Sequence, residues 1–487
     1  MADSRRAAER LVNRMQRIVD AQQRIIYFLL SIIGAFMVTF YITTLEDEFS
    51  LIQQYVFFIL IFAVALWVTE AIPPFAVGIL IVGLLIFLIG QVETNVPGDV
   101  GYIDVTKFVG TWSNSVIWLM LGGFFLALAL RKTGLDKDLF HLTMSKVGNK
   151  PTHILMGMMG ATAMASMVMS NTATTAMMIA SIVPFINKLG KDHGLSKSLL
   201  VGIPSAAAIG GMGTIIGSPP NAIAVEAINS ISKSQNLGIS IGFLEWMILG
   251  VPVAVILVFF FWWILNNKFK LNTMDIQEVE KPKVEISTLE EKFQKRMVLS
   301  ILVITVLLWL TGRWHGIPSA AVSGIPIIIF PMIGIISGEN VREIPWDTLM
   351  LVAGGLSLGL AIQESGLAEF FVAKLSNFTF NEYIFMVLFS LATVLFSNIM
   401  SNTATATILI PVASILPGVN PAYMAMIIGL SASCALFLPV STPPNAIAFS
   451  TGLLKQSDFR LGGITVGLLG PILAILWVVL LYLIGYF

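Results

Sequence analysis

The chain has 487 residues, with 28 Lys plus Arg balanced by 28 Asp plus Glu, and a single cysteine. Charged residues make up 11% and hydrophobic residues 56%, whereas a soluble globular chain carries about 25% charge. That is too little charge to cover a soluble surface of this size; the zero net charge gives no basis for a nucleic-acid partner, and one cysteine excludes an internal disulfide framework.

Residues 1–24 carry six Arg, and Leu11, Met15, Ile18 and Ile25 recur at helical spacing between them. This predicts a cytoplasmic amphipathic segment lying on the membrane surface. The apolar run that follows lacks a small-residue cleavage site and is not expected to be a signal peptide. Runs of about 18 residues almost free of charge read as membrane spans. They predict 11 crossings: 25–41, 54–72, 75–90, 114–131, 198–228, 244–266, 297–311, 319–336, 347–363, 421–453 and 463–486. Two more apolar stretches, 152–187 and 382–415, are each too long for one span and each carry SNTAT in the middle. Re-entrant hairpins fit them better, two half-helices meeting at a polar tip. Residues 267–296 form the one long charged linker and join two halves. The expected fold is therefore an all-α polytopic membrane protein with about 11 transmembrane helices plus two re-entrant helical hairpins. With the N-terminus inside, 24 of the 28 basic residues fall on the cytoplasmic side, leaving Lys107, Lys233, Arg313 and Lys374 outside. Lys/Arg bias orients membrane proteins, so a multi-pass protein of the cytoplasmic membrane is expected, N-terminus cytoplasmic and C-terminus outside.

The two SNTAT segments, Ser170–Thr174 and Ser401–Thr405, are part of a longer echo. Ile72-Pro73 recurs as Ile317-Pro318, Trp112 as Trp346, Gly122-Gly123 as Gly354-Gly355, and Thr133-Gly134-Leu135 as Ser365-Gly366-Leu367. Ser218-Pro219-Pro220-Asn221 recurs as Thr442-Pro443-Pro444-Asn445, and every offset lies between 224 and 245. Five expected crossings separate each feature from its twin, an odd number, so the halves form an inverted repeat.

The repeated motifs carry oxygen and amide chemistry. Pro219 and Pro220 deprive the carbonyls of Ile215 and Ile216 of helical donors, and Pro443 and Pro444 do the same for Pro439 and Val440. Freed carbonyls beside hydroxyls are hard ligands for an alkali cation. At each tip a half-helix starts near SNT, so its free N–H groups and positive dipole end can hold an anion, with the Asn171 or Asn402 amide and the Thr172 or Thr403 hydroxyl. Plain N-capping is the alternative for these serines and asparagines. Ser166 and Ser397 stand one turn before each tip. Ser166, Ser170 and Asn171 with the carbonyls near Gly217 would form one oxygen cage; Ser397, Ser401 and Asn402 with those near Ser441 would form its twin. Back-bonding within their own helix is the alternative for Ser166 and Ser397. No Arg, Lys or His lies in either tip or either broken span, so anion charge has to be balanced by dipoles, amides and co-bound cations. Glu226, five residues past Asn221, is expected to lie near the outer interface or to pair within the protein. Cys434 is expected to pack as a small hydrophobe, and His141, His153, His193 and His315 to face water.

Paired SNTAT tips with paired [ST]-Pro-Pro-Asn broken helices resemble the divalent-anion:sodium symporters, the INDY-type dicarboxylate transporters. The resemblance covers nearly the whole chain after the N-terminal segment. It implies a homodimer in the lipid bilayer, working as an elevator with scaffold and transport domains. The corresponding parts here are 1–24 (surface segment), 25–150 and 297–378 (scaffold), 151–266 and 379–487 (transport) and 267–296 (linker). It implies Na⁺ at Ser166, Ser170, Asn171 and Gly217, and a second Na⁺ at Ser397, Ser401, Asn402 and Ser441. It implies substrate contacts from Asn171, Thr172, Ser218, Asn402, Thr403, Thr442 and Pro443; Ser218 departs from the more usual Thr. The implied activity is Na⁺-driven import of a C4-dicarboxylate such as succinate, malate or fumarate, with Na⁺ as coupling ion and no organic cofactor. A dicarboxylate exchanger, a citrate or sulfate carrier, and an ion channel built on re-entrant loops are the rival readings. With no nucleophile–base pair and no metal motif in the sequence, an enzyme is not expected.

Overall fold

The structure is a computed structural model describing residues 2–46, 48–93, 95–97, 102–190, 193–235, 238–271, 288–375, 381–416 and 418–486, with side chains from residue 21 onward except at 234, 235, 372 and 375. Among these residues every regular element is a helix. Nine helices are long and apolar enough to cross a membrane, and Pro74–Gly90, Ser319–Met332 and Pro421–Ala432 are shorter apolar helices. Most of the linker, residues 272–287, lies outside the described residues.

Three boundaries depart from expectation. The surface segment and the first span form one unbroken helix, Ala2–Leu45. The helix expected at 297–311 starts at Leu289. There Thr288 and Glu291 make a reciprocal capping box, the backbone N–H of Glu291 donating to Thr288 Oγ1 at 3.2 Å and that of Thr288 to Glu291 Oε2 at 2.9 Å. One arm of each expected hairpin, Asn171–Leu189 and Glu382–Ile399, is by length and apolarity itself sufficient for a crossing. By contrast, the two expected broken spans are broken. One consists of Gly194–Gly211 and Pro219–Gln235, the other of Pro421–Ala432 and Pro443–Ser450.

The chain falls into two compact units, Met1–Trp112 with Met350–Ser376, and Ser113–Leu349 with Asn377–Phe487. In the first unit an aromatic cluster joins Phe49 to Phe370 (ring centroids 4.8 Å apart), with Phe57 and Phe371 around it. Lys374 pairs with Glu46 at 2.7 Å and Lys107 with Glu364 at 2.9 Å. Helices Pro74–Gly90 and Trp346–Glu364 touch backbone to backbone, because a Cβ at Gly354 would overlap Gly78; small residues permit such approach where lipid offers no hydrophobic drive. The second unit contains the repeat-related contact: a Cβ at Gly122 would stand 2.6 Å from Ser323 Cβ, joining Ser115–Thr133 to Ser319–Met332. Gly122 is the twin of Gly354 in the repeated Gly-Gly pair, so both halves solve the same packing problem with the same residue.

The second unit also holds both SNTAT segments and both broken spans. Helix Pro443–Ser450 packs on Asn171–Leu189 and Gly194–Gly211, and helix Pro219–Gln235 packs on Asn402–Ser414 and Pro421–Ala432. The helix following each Pro-Pro pair thus lies against the helix that starts at the SNT segment of the other half.

Candidate substrate and cation site

Each tip is built by a capped helix start. Helix Pro151–Ser166 ends in a turn, and Asn171–Leu189 begins with Ser170 as N-cap, its Oγ accepting from the backbone N–H of Ala173 at 3.2 Å. The second tip repeats this: Ser401 Oγ accepts from the N–H of Ala404 at 3.1 Å, opening Asn402–Ser414. The next donors, Thr174 and Thr405, reach the carbonyls of Ser170 and Ser401 at 3.0 Å. Among the described residues, no acceptor meets the N–H groups of Asn171 and Thr172, or of Asn402 and Thr403. Capping and anion binding are therefore compatible here, since the serines consume only the third donor of each helix. Thr172 and Ser401 are exposed, while Asn171, Asn402 and Thr403 are half-buried.

Behind the first tip the oxygens converge. Ser166 is fully buried and donates its hydroxyl to Asn171 Oδ1 at 2.5 Å. A Cβ at Gly217 would stand 2.5 Å from the carbonyl oxygen of Gly211 and 3.0 Å from that of Ser166. A Cβ at Gly211 would overlap Asn171 Oδ1. Ser166 thus touches both Asn171 and Gly217, Gly211 bridges the same two, and three of the four expected first-cage residues come together. Ser170, the fourth, is exposed and its Oγ is spent on the Ala173 N–H. Behind the second tip, Ser397 is fully buried and its Oγ has no hydrogen-bond partner, and Asn402 Oδ1 is also buried without one. Ser441 donates to the carbonyl of Leu438 at 2.8 Å. No hydrogen bond among the described residues joins Ser397 or Asn402 to Ser441. Neither Ser166 nor Ser397 bonds back to its own helix, which decides against that alternative. Hydroxyls that do include Thr162, to Met158 O, and Thr393, to Phe389 O, both at 2.6 Å and one turn earlier.

The prolines act as their sequence requires. Among the described residues, no donor reaches the carbonyls of Ile215, Ile216, Pro439 or Val440. Ser218 and Thr442 are buried at the starts of Pro219–Gln235 and Pro443–Ser450; Thr442 Oγ1 accepts from the N–H of Asn445 at 3.4 Å. Pro443 is exposed at the first position of its helix. Four helix starts, each with the positive end of its dipole, therefore lie in this one unit without a basic side chain in either tip or either break. Glu226 accepts a hydrogen bond from Asn114 Nδ2 at 2.7 Å, pairing inside the protein. Cys434 is buried and free. Of the four histidines only His153 is exposed; His141 has its Nδ1 buried without a partner, and His193 and His315 are half-buried with ring nitrogens bonded to backbone.

Three residues at the breaks were passed over in the sequence. Thr214 Oγ1 donates to the carbonyl of Met167 and accepts from the N–H of Gly217 at 3.0 Å, tying the break to the tip turn. Asn221 and Asn445 are buried in equivalent positions and cross-brace their breaks. The signal for the two asparagines was present, since Asn ends both Pro-Pro-Asn copies. Thr214 has no counterpart in the repeat and left no signal.

Known proteins resemble this chain over most of its length. Residues 22–485 match the family model described as the sodium:sulfate symporter transmembrane region. The sodium-dependent dicarboxylate transporter SdcS of Staphylococcus aureus (strain USA300) is 32% identical over 459 residues, covering 87% of this chain and 84% of that protein. The SdcS of strain N315 matches with the same identity and coverage. Among solved structures, the Alcanivorax borkumensis YdaH transporter aligns with a TM-score of 0.54 at 14% identity, over 85% of this chain and 98% of that one. The Neisseria gonorrhoeae MtrF efflux pump aligns with a TM-score of 0.51 at 10% identity, over 85% and 96%. These two likenesses concern the fold alone. The chain is thus a multi-pass membrane transporter and not an enzyme, and it belongs to the divalent-anion:sodium symporter family.

Proposed function

We propose that this protein is a sodium-coupled secondary active transporter that imports C4-dicarboxylates such as succinate, malate or fumarate. The observation that carries the reading is the pair of SNT helix starts with unspent N–H donors, each backed by buried serine and asparagine oxygens. One carboxylate would meet the Asn171 and Thr172 amides and the Thr172 hydroxyl. The other would meet those of Asn402 and Thr403, with Ser218, Thr442 and Pro443 closing the sides. Na⁺ would take the oxygens of Ser166, Ser170, Asn171 and Gly217, and a second Na⁺ those of Ser397, Ser401, Asn402 and Ser441. The name of the SdcS relative, a sodium-dependent dicarboxylate transporter, supports both the ion and the substrate class.

The energetics require the cations. Moving two negative charges inward against an inside-negative potential costs about 2.3 kcal/mol per charge per 100 mV. Two Na⁺ cancel that cost and three make entry electrically favourable. We place the N-terminus in the cytoplasm from the Lys/Arg bias. The protein would work as a homodimer of inverted-repeat protomers, scaffold parts 25–150 and 297–378 carrying transport parts 151–266 and 379–487 in an elevator movement. In proteoliposomes, radiolabelled succinate uptake is expected to collapse when choline replaces Na⁺; unchanged uptake would overturn the coupling. Uptake without internal substrate separates the symporter from an obligate exchanger.

The two cages differ in a testable way. Ser397 Oγ serves nothing else in the fold, so Ser397→Ala should raise the Na⁺ needed for half-maximal uptake about tenfold or more with little change in thermal stability measured without Na⁺. Ser166→Ala also removes the hydrogen bond to Asn171 and should lower both Na⁺ affinity and stability, the latter by about 1 kcal/mol. Thermal unfolding with and without Na⁺ reads the two effects separately.

A further inference from the structure

Asn221 and Asn445 occupy the same place in the two repeats, three residues after Ser218 and Thr442. Both are essentially inaccessible, at 0% and 1% exposure. Asn221 Nδ2 donates to the carbonyls of Gly211 at 2.8 Å and Thr214 at 2.7 Å. Asn445 Nδ2 donates to those of Leu438 at 3.0 Å and Leu436 at 3.3 Å. Asn221 thus reaches back across its unwound segment to the last residue of the preceding helix, while Asn445 reaches two carbonyls in the middle of its own segment. Two carbonyls on one side fix the amide's orientation, because an oxygen there would meet two acceptors. The other end is therefore Oδ1, and in both residues it is buried with no donor. A buried amide oxygen left unpaired costs about 1–3 kcal/mol. The chain tolerates that cost twice, at matched positions.

The brace reaches the cage directly. The Gly211 carbonyl held by Asn221 faces Gly217, and Gly211 itself lies against the Asn171 amide. While Asn221 consumes the Gly211 and Thr214 carbonyls, those of Ile215 and Ile216 stay unbonded. In the other repeat Asn445 donates to Leu436 and shares Leu438 with the Ser441 N–H and hydroxyl, while the carbonyls of Pro439 and Val440 stay unbonded. We propose that Asn221 and Asn445 are positioning residues for cation binding: each selects which carbonyls of its unwound segment are spent internally and which remain free for the ion. The inference rests on the Na⁺-coupled reading above and adds to it two residues outside the expected ligand set.

Asn229 supplies the control. Its amide also braces a loop, donating to Ile241 O at 3.0 Å and accepting from Ile241 N at 2.8 Å, so both ends are spent and none borders a Pro-Pro break. Thermal unfolding of the full-length protein in detergent is followed against NaCl concentration, with choline chloride keeping ionic strength constant and no substrate present. Asn221→Ala and Asn445→Ala are expected to raise the half-saturating Na⁺ concentration about tenfold or more. Asn229→Ala should lower the starting melting temperature without moving that concentration. Asn221→Ser and Asn445→Ser, polar but too short to span the break, are scored the same way if an alanine variant does not fold. Unchanged half-saturation in the Asn221 and Asn445 variants, with a normal Na⁺ response in the parent, would overturn this proposal alone. A parent protein that Na⁺ does not stabilise more than choline would remove the sodium reading itself.

Discussion

Asn171→Ala and Asn402→Ala are each expected to abolish succinate uptake while leaving a folded protein. Each amide stands at a helix start whose cap is supplied by the preceding serine, Ser170 or Ser401. The helix therefore keeps its start after truncation. Both residues are half-buried, so little packing is lost with them. What disappears is polar. Asn171 Oδ1 accepts from Ser166 and its amide lies against Gly211; Asn402 Oδ1 is buried and unspent. In the proposed site each amide faces a cation on one side and a carboxylate on the other. Hydrogen bonds to charged groups are worth about 1.5–3 kcal/mol. Losing two such interactions reduces binding on the order of a hundredfold or more. Uptake assays, with size-exclusion profiles and circular dichroism as folding controls, check the result. Near-normal uptake by both variants would reduce the tips to capping devices.

Much of this site could be read before any coordinates, and the reason is its covalent character. Pro219, Pro220, Pro443 and Pro444 lack N–H groups whatever surrounds them, so the freed carbonyls of Ile215, Ile216, Pro439 and Val440 follow from the sequence alone. Ser170 and Ser401 are strong N-caps by side-chain chemistry, so the tips were legible too. What stayed hidden depends on tertiary placement. Whether Ser166 and Ser397 bond to their own helix or leave its carbonyls alone is a choice of rotamer, and Thr162 and Thr393 make the opposite choice one turn away. The neighbour of Gly211 is Asn171, 40 positions back, and no periodicity announces that. Boundaries failed for a different reason. Hydropathy marks the membrane slab and not the helix, so Leu289–Leu310 begins at its Thr288 cap, ahead of the apolar run. The unbroken helix Ala2–Leu45 likewise has no proline or glycine at the polarity change to interrupt it before Gly34. Exchanged packing of Pro443–Ser450 and Pro219–Gln235 between the two halves is long-range and is seen only in the fold.

Gly217→Ala is expected to destroy Na⁺ binding at the first cage, whereas Gly160→Ala, in the helix leading to the same tip, should leave transport intact. The two substitutions add the same methyl group. At Gly217 it would lie 2.5 Å from the Gly211 carbonyl oxygen and 3.0 Å from that of Ser166. Both neighbours are backbone, so no side-chain rotation relieves the overlap. The unwound segment would have to move away from the helix end carrying Ser166, and these are the atoms of the proposed cage. At Gly160 nothing lies within 4 Å of the added carbon, and alanine in a helix interior is favoured over glycine by about 0.5–1 kcal/mol. Gly160→Ala therefore controls for the chemistry of the change and for helix propensity at once. The twin of Gly217 in the repeat is Ser441, which carries a Cβ and a buried hydroxyl bonded to Leu438 O. The close approach to two backbone oxygens therefore has no matching glycine in the second cage. In Gly217→Ala the second site should keep its sodium response, giving a shallower dependence of uptake on Na⁺ as well as a loss of rate of about a hundredfold, the factor expected from losing roughly 3 kcal/mol of interactions with the ion. Uptake measured across a Na⁺ series for parent, Gly160→Ala and Gly217→Ala tests this. Equal activity of the two variants would mean that the contact between the break and the first tip is packing without a bound ion.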